Sequence, residues 1–391
     1  MPDVNDNTPL PFDEHVAFDP TDDFEAFLKS VPTKWVVYLL SDEHDNPVQL
    51  LCVKNLRYSL KRRLGVEEQL QPSRRVNYRE LIRHIHYRRV DSAFEADWLY
   101  YEAARRVFPE SYRGMVGFRP AWFIHVNDQA NFPRYIKTND LTIRTGILIG
   151  PVEDKHAAAR LIQLIEDSFD LCRYYNILVE SPNANACAYK EMGKCPAPCD
   201  GSISIEQYRR LIEWSAKVVV DPAEYIREQT RRMQQAAASL RFETAAKIKQ
   251  YVDELSQMGK GPYRHVARLA DFQFVSFQRG PRQGTAKVML ITPGRIELLL
   301  CIIDEKFKPA DIMRAALTIA AEPHPALDQN GVERVGIVAH HLFSAKNAHG
   351  VFLPLGVLDE RSIAKAFRDL QKQAVADETN DEGVIKELQA M

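Results

Sequence analysis

Four of the six cysteines in this chain, Cys172, Cys187, Cys195 and Cys199, fall within 28 residues, with fourteen, seven and three residues between them. Random placement over 391 residues would scatter them, so the fold must accommodate a local concentration of thiols. Thiolates are soft ligands, and four converging on one point suit zinc or an iron–sulfur cluster. Two disulfides are the competing arrangement, which a reducing cytosol disfavours, and four inert thiols are the plainest one. The spacing is not the paired C-x-x-C of common zinc ribbons, so spacing alone does not choose the metal. Cys52 and Cys301 stand alone in apolar surroundings and read as small core residues.

The length predicts two to three folded units. Hydrophobic residues at 45% and charged residues at 27% are proportions of a soluble globular protein. No apolar run approaches the roughly 18 residues that span a bilayer. The N-terminus is acidic and lacks an apolar core, so no secretory signal is read there, and a cytoplasmic location with no membrane contact is expected. The net charge of −2 conceals an asymmetry. Asp3 to Lys29 holds eight acids and one base, whereas Lys54 to Arg89 holds eleven Lys or Arg against three Glu. The basic block, with Lys54, Arg57, Lys61, Arg62 and Arg63, is a candidate DNA-facing surface; a solvated helix face explains the same charge.

Hydropathy patterning predicts an α/β (α+β) chain. Residues 1–31, rich in Asp, Asn and Pro, read as a disordered acidic leader. A strand over Trp35 to Leu40, a hairpin partner over Val48 to Val53, a basic helix near Leu56 to Leu64, a strand over Arg83 to Val90 and a helix over Ser92 to Val107 make a first unit, 32–115. Short strands at Ala121 to Val126, Arg134 to Ile136 and Gly146 to Ile149, with a helix from Lys155 to Ser168, make a linker region, 116–170. The cysteine segment occupies 171–203. Helices over Ile205 to Val218 and Pro222 to Met258, the second broken near Leu240 to Glu243, fill 204–260. A C-terminal α/β unit, 261–375, is expected to contain strands Phe272 to Gln278, Lys287 to Ile291, Arg295 to Ile303 and Val335 to His340. Helices Pro309 to Ala321 and Glu360 to Gln373 belong to it, and an acidic tail, 376–391, follows.

The stretch Gly193-Lys194-Cys195-Pro196-Ala197-Pro198-Cys199-Asp200-Gly201 resembles the four-cysteine segment of the UvrC family, the C subunit of the UvrABC excision-repair nuclease. That resemblance implies a 4Fe-4S cluster on Cys172, Cys187, Cys195 and Cys199, with zinc as the alternative. Ala238-Ser239-Leu240-Arg241-Phe242-Glu243-Thr244-Ala245-Ala246-Lys247-Ile248 resembles the UVR motif, which implies docking to a UvrB-like protein through Leu240, Phe242, Ala245 and Ala246. Physically, Phe242, Ala245, Ala246, Ile248, Val252 and Leu255 form one apolar stripe, and two helices this short cannot bury their apolar surface alone. An intramolecular hairpin packed on its own domain is the simpler use of that stripe.

From about residue 33 to 260 the order of motifs is similar to UvrC. Val36-Val37-Tyr38, Lys54-Asn55-Leu56-Arg57 and the helix around Glu102 follow its GIY-YIG nuclease domain. The resemblance assigns Tyr38 as a catalytic tyrosine and Glu102 as the ligand of a divalent metal. Phosphodiester hydrolysis needs a base, positive charge at the transition state and a metal. Gln49-Leu50-Leu51 stands where Y-I-G is expected, Cys52 where the lysine is, Ser59 where the arginine is, and Arg63 where another tyrosine is. Glutamine is no general base, and Leu51 crowds a place that glycine normally opens. Lys61, Arg62 or Arg63 could supply the missing arginine. As structural alternatives, Tyr38 is a core aromatic and Glu102 a solvent-facing helix residue.

No aspartate–aspartate–histidine constellation of an RNase H-like second nuclease is found after the hairpin; Asp304, His340 and His341 read as strand-end polar residues. Two functional classes follow: a UvrC-like DNA-repair module that binds DNA and a UvrB-like partner with a weakened or inactive GIY-YIG site, and a divergent metal-dependent excinuclease. A redox sensor on the same scaffold is a third.

Overall fold

The computed structural model describes residues 11–65, 77–117, 119–321, 326–344 and 350–378. Strand β2 (Val36–Ser41) is buried along its whole length, as a continuous apolar run must be when both faces of a sheet are covered. It lies inside an antiparallel sheet of order β1-β4-β2-β3, with β1 Glu14–Ala17, β3 Pro47–Val53 and β4 His84–Arg89. Side chains alternate across β2. Val36, Tyr38 and Leu40 meet helices α1 (Phe24–Ser30) and α2 (Leu56–Leu64), whereas Val37 and Leu39 meet Ala96, Leu99, Ala103 and Ala104 of α4 (Ala93–Val107). Helix α2 starts because the Asn55 side chain accepts from the Tyr58 amide at 3.0 Å. Its leucines 56, 60 and 64 recur on one face and are fully buried, worth about 2 kcal/mol each.

The expected disordered leader is corrected from residue 11 onward. Strand β1 pairs with β4, Glu14 opposite Tyr87 and His15 opposite His86, and Phe18, Leu28 and Val31 are buried in the α2-side core. The acidic composition of this stretch conceals six phenylalanines, leucines and valines that pack against one sheet face, Val16, Phe18, Phe24, Phe27, Leu28 and Val31, and tertiary burial outweighs its charge. Residues 1–10 lie outside the described residues, as does the acidic tail from 379 onward.

The second sheet has order β6-β5-β7-β8, with β5 Trp122–Val126, β6 Tyr135–Thr138, β7 Ile147–Val152 and β8 Ala267–Arg268. Helices α6 (Lys155–Ser168) and α9 (Ile205–Val220) cover one face with Ala157, Leu161, Ile165, Tyr208, Ile212 and Ala216. Between the two lie the short helices α7 (Tyr175–Leu178) and α8 (Ala188–Glu191). Helices α10 (Ala223–Ala238) and α11 (Phe242–Leu255) form an antiparallel hairpin before the chain returns to β8.

The third sheet, order β11-β10-β9-β12, is antiparallel, with β9 Phe274–Arg279, β10 Ala286–Thr292, β11 Arg295–Ile303 and β12 Gly350–Pro354. Helices α12 (Pro309–Ala320) and α14 (Glu360–Glu378) pack on one face. The other face meets α13 (Gln329–Phe343), together with Phe94 and Tyr101 of α4 and Phe123 and Leu148 of the second sheet. One core therefore joins all three units. The strand expected over Val335 to His340 is corrected: these residues lie inside α13, capped by Asp328, whose carboxylate accepts from the Gly331 amide at 2.7 Å. Helix α13 is sandwiched between a sheet and α4, so Val335 to Ala339 are buried without a break, and a short apolar run of that kind carries no period to separate helix from strand. Strand β12 was not anticipated. No helix among the described residues is long and apolar enough to cross a membrane.

Candidate functional site

Tyr38 and Glu102, paired by the sequence resemblance, stand on opposite sides of the first sheet. Tyr38 is fully buried on the α2 side, its hydroxyl 2.8 Å from Ser59 Oγ. Burial pushes its phenol up, against the pull of the Ser59 hydrogen bond. Ser59, in the position expected for an arginine, thus serves as a hydrogen-bond partner inside the core. Cys52, in the position expected for a lysine, takes a hydrogen bond from Trp35 Nε1 at 3.3 Å, and burial pushes its thiol up to about 12.

Glu102 lies on α4, beyond the other face, and is neither solvent-facing nor free to take a metal as it stands. Arg334 of α13 donates from Nε to Oε1 at 2.7 Å and from Nη2 to Oε2 at 3.3 Å, and Arg105 approaches at 3.5 Å. The same helix is fastened to the C-terminal unit at three further points. Lys287 Nζ reaches Glu95 at 2.6 Å and Asp91 at 2.7 Å. The Glu333 carboxylate, 2% exposed, accepts from the hydroxyls of Tyr101 at 2.9 Å and Tyr112 at 3.0 Å and from Arg113 Nε at 3.1 Å. His341 Nε2 stands 2.9 Å from Asp97. The two carboxylates hold the Lys287 ammonium above its ordinary range, outweighing the desolvation that opposes it. Beside Glu102 a cleft of about 370 Å³ opens between α4 and the third sheet, lined by Trp98, Arg88, Arg106, Arg295 and Arg334 among others. Sequence reasoning missed Arg334, Lys287 and Glu333, since partners about two hundred residues apart leave no local signal.

The basic block is partly spent on structure. Arg57 donates to the carbonyls of Val31 at 2.9 Å and Lys29 at 3.2 Å, at the C-terminal end of α1, where a cation offsets the helix dipole. Arg63 donates to Gln49 Oε1 at 3.2 Å and lies over the Tyr78 ring. Lys61 remains exposed, 3.9 Å from Glu25. Lys54 and Arg62 sit on the same part of the first unit, while Arg74 and Arg75 lie outside the described residues. A DNA-facing role for this block therefore rests on fewer cations than the charge count suggested.

Three of the four clustered thiols are drawn together. A hydrogen bond from Cys172 pulls the Cys195 thiol down to about 7, and Cys199 feels both of its neighbours. The Cys172 thiol donates to the Tyr174 carbonyl at 3.6 Å. Cys187 occupies the N-cap position of α8, and its side chain makes no capping hydrogen bond. The segment is laced by Arg173, which donates to the carbonyls of Leu171, Lys194 and Glu166 and to Asp167 at 2.5 Å, and which lies 4.5 Å over the Tyr189 ring. A small cluster of its own holds Ala184, Ala197 and Cys199 with Ile177 against them, while Leu171 and Leu178 pack into the core of the second sheet. A segment whose own cluster is this small needs a staple, and an all-thiol donor set suits a thiophilic metal or cluster. Among the described residues no group of three or more His, Cys, Asp or Glu is already closed into a metal-ligating arrangement.

The α10–α11 hairpin divides its expected stripe. Ala236, Ala245 and Leu255 are buried within it, whereas Leu240 is 75% and Phe242 63% exposed, and Ala246 is exposed beside them. Leu240 takes a left-handed conformation, φ 56°, at the turn, where the Arg241 amide closes onto the Ala236 carbonyl at 2.9 Å. Glycine normally fills such a position. A large apolar residue held there in solvent is strained and unburied together.

Residues 121–218 match the family model for the UvrC/Cho excinuclease middle domain, and residues 223–257 match that of the UvrB/uvrC motif. Over those two stretches the chain is similar to the UvrC family. The stretch that matches the middle domain holds β5, β6, β7, α6, the cysteine segment and most of α9, and the stretch that matches the UVR motif holds the α10–α11 hairpin. The chain is similar to the UvrABC system protein C of Caldanaerobacter subterraneus subsp. tengcongensis, 24% identical over 61% of this chain and 39% of the relative. It is also similar to that of Clostridium perfringens strain SM101, 23% identical over 70% and 44%, and of Methanothermobacter thermautotrophicus, 28% identical over 46% and 32%. The chain spans less than half the length of these relatives. No solved structure matches it.

Proposed function

We propose that this protein is a cytoplasmic UvrC-like module of nucleotide excision repair that binds DNA and docks a UvrB-like protein, while its GIY-YIG-like site makes no incision. The observation that carries docking is the pair of large apolar side chains, Leu240 and Phe242, left in solvent on a UVR hairpin whose inner face is already filled by Ala245 and Leu255. A matching hairpin on the partner would bury them. Loss of incision is supported by the Arg334 guanidinium on Glu102 and by the sheet between Glu102 and Tyr38. Binding a divalent metal at Glu102 would require breaking a hydrogen-bonded ion pair and leaving Arg334 buried without its anion.

Cys172, Cys187, Cys195 and Cys199 are the residues that would hold a 4Fe-4S cluster, or zinc in its place. Such a group supplies folding energy to a segment that has almost no core of its own. DNA contact falls to the exposed part of the basic block, with Lys61 as its clearest member.

Two measurements test the reading. A UvrB-like hairpin peptide is expected to bind the full chain, and Leu240→Asp with Phe242→Asp is expected to weaken binding at least tenfold without altering thermal stability; unchanged affinity refutes the dock. Labelled damaged duplex, a UvrB-like protein and magnesium or manganese are expected to yield no cut strand. Cleavage that Glu102→Ala abolishes would instead establish the active excinuclease.

A further inference from the structure

Three histidines gather on one face of the first sheet, away from every residue given a role above. His84 and His86 alternate along β4, so both project to the same side, and His15 of β1 stands directly opposite His86 in the register. His15 Nε2 and His84 Nδ1 are 3.1 Å apart. The ring centroids lie 4.7 Å apart for His15 and His86, 5.3 Å for His15 and His84, and 6.4 Å for His84 and His86. His86 Nε2 meets the Asp45 carboxylate at 2.7 Å.

With metal–nitrogen bonds of about 2.0–2.1 Å at a tetrahedral centre, two ligating nitrogens stand about 3.3 Å apart and their ring centroids about 5 Å apart. The observed separations bracket those values. Asp45, by engaging Nε2 of His86, leaves Nδ1 of that ring as the lone-pair donor, the arrangement in which a carboxylate orients a metal-binding imidazole from behind. The rings are not closed on one point. His15 is exposed, however, and rotation about its side-chain bonds brings its nitrogen toward the other two.

We infer that His15, His84 and His86, with Asp45 orienting His86, form a binding site for a borderline divalent transition-metal ion such as zinc. Three neutral imidazoles suit zinc, copper, nickel and cobalt and leave the hard cations calcium and magnesium poorly served. The ion would tie β1 to β4 at the edge of the sheet, holding the N-terminal strand in place by side-chain ligation in addition to its backbone pairing.

The test uses the full chain, free of any affinity tag, titrated with cobalt(II) in the absence of oxygen. Cobalt on the cysteines gives sulfur-to-cobalt charge-transfer absorption, whereas cobalt on imidazoles gives ligand-field bands without it. The expected result is a second class of site with visible ligand-field absorption and no added sulfur band, displaced by zinc. His15→Ala with His84→Ala is expected to remove this class and leave the sulfur band intact, and Asp45→Asn to weaken it by about 10–100-fold. The wild-type chain provides an independent readout: zinc beyond the amount taken by the thiols is expected to shield His15, His84 and His86 from diethylpyrocarbonate, read by peptide mass spectrometry. Titration showing sulfur absorption alone, retention of the second class in the double variant, or modification of the three rings at an unchanged rate under zinc overturns the site.

Discussion

The Arg334 guanidinium grips the Glu102 carboxylate with two hydrogen bonds, 2.7 and 3.3 Å, across 232 residues of sequence. This one pairing closes the acidic face of α4 with a helix from the C-terminal unit. Neither partner is more than 22% exposed, so the pair is only partly screened by solvent. Arg334→Ala strands a largely buried carboxylate, and a loss on the order of 3 kcal/mol is expected. Glu102→Gln keeps a hydrogen-bond acceptor and should lose less, roughly 1–2 kcal/mol. Urea unfolding monitored by circular dichroism measures both; equal, negligible losses would mean that the pair does not hold the units together.

Lys287 sets an alkaline limit on stability. Its folded-state pKa is raised by Glu95 and Asp91, so its contribution is fully present below the unfolded lysine value of about 10.4 and fades as pH climbs through the folded one. Unfolding free energies across the alkaline range should fall for the wild-type chain, and Lys287→Met should start lower at neutral pH with a shallower alkaline decline. A variant that keeps the wild-type slope would assign the decline to other groups.

Leu240→Gly separates docking from stability. Glycine relieves the left-handed strain, worth roughly 1 kcal/mol, and little burial is lost from a side chain 75% exposed. The melting temperature is expected to hold or rise while affinity for a UvrB-like hairpin drops. A clear fall in melting temperature would show that Leu240 packs within its own chain.

The thiols should differ in reactivity. Cys52, pushed up to about 12 by burial, is expected to resist iodoacetamide at pH 8 in the folded, metal-free chain, because the thiolate is the reactive form. Cys195, drawn to about 7, should be alkylated well before it. Peptide mass spectrometry over a time course decides the order, and early modification of Cys52 would contradict its place in the core.

Sequence alone determined what depends on neighbours in the chain. The boundaries of α2, α6 and β11 were legible because a cap residue and a clean apolar period specify them locally. The UVR hairpin was legible for the same reason, since its pattern is written within a few dozen residues. Tertiary structure decided the rest. Residues 11–31 read as solvated from their acids, yet the sheet face they cover makes them core. Val335 to His340 read as a strand, yet they lie in a helix whose unbroken buried run, Val335 to Ala339, has no polar residue to mark the helical period. Tyr38 and Glu102 read as one site, and the side of the sheet each occupies separated them. Charge pairs such as Arg334 with Glu102 and Lys287 with Glu95 exist only once the chain has brought distant segments within a few ångströms. Coulombic attraction and desolvation depend on that distance and burial, and neither is a property of residue order.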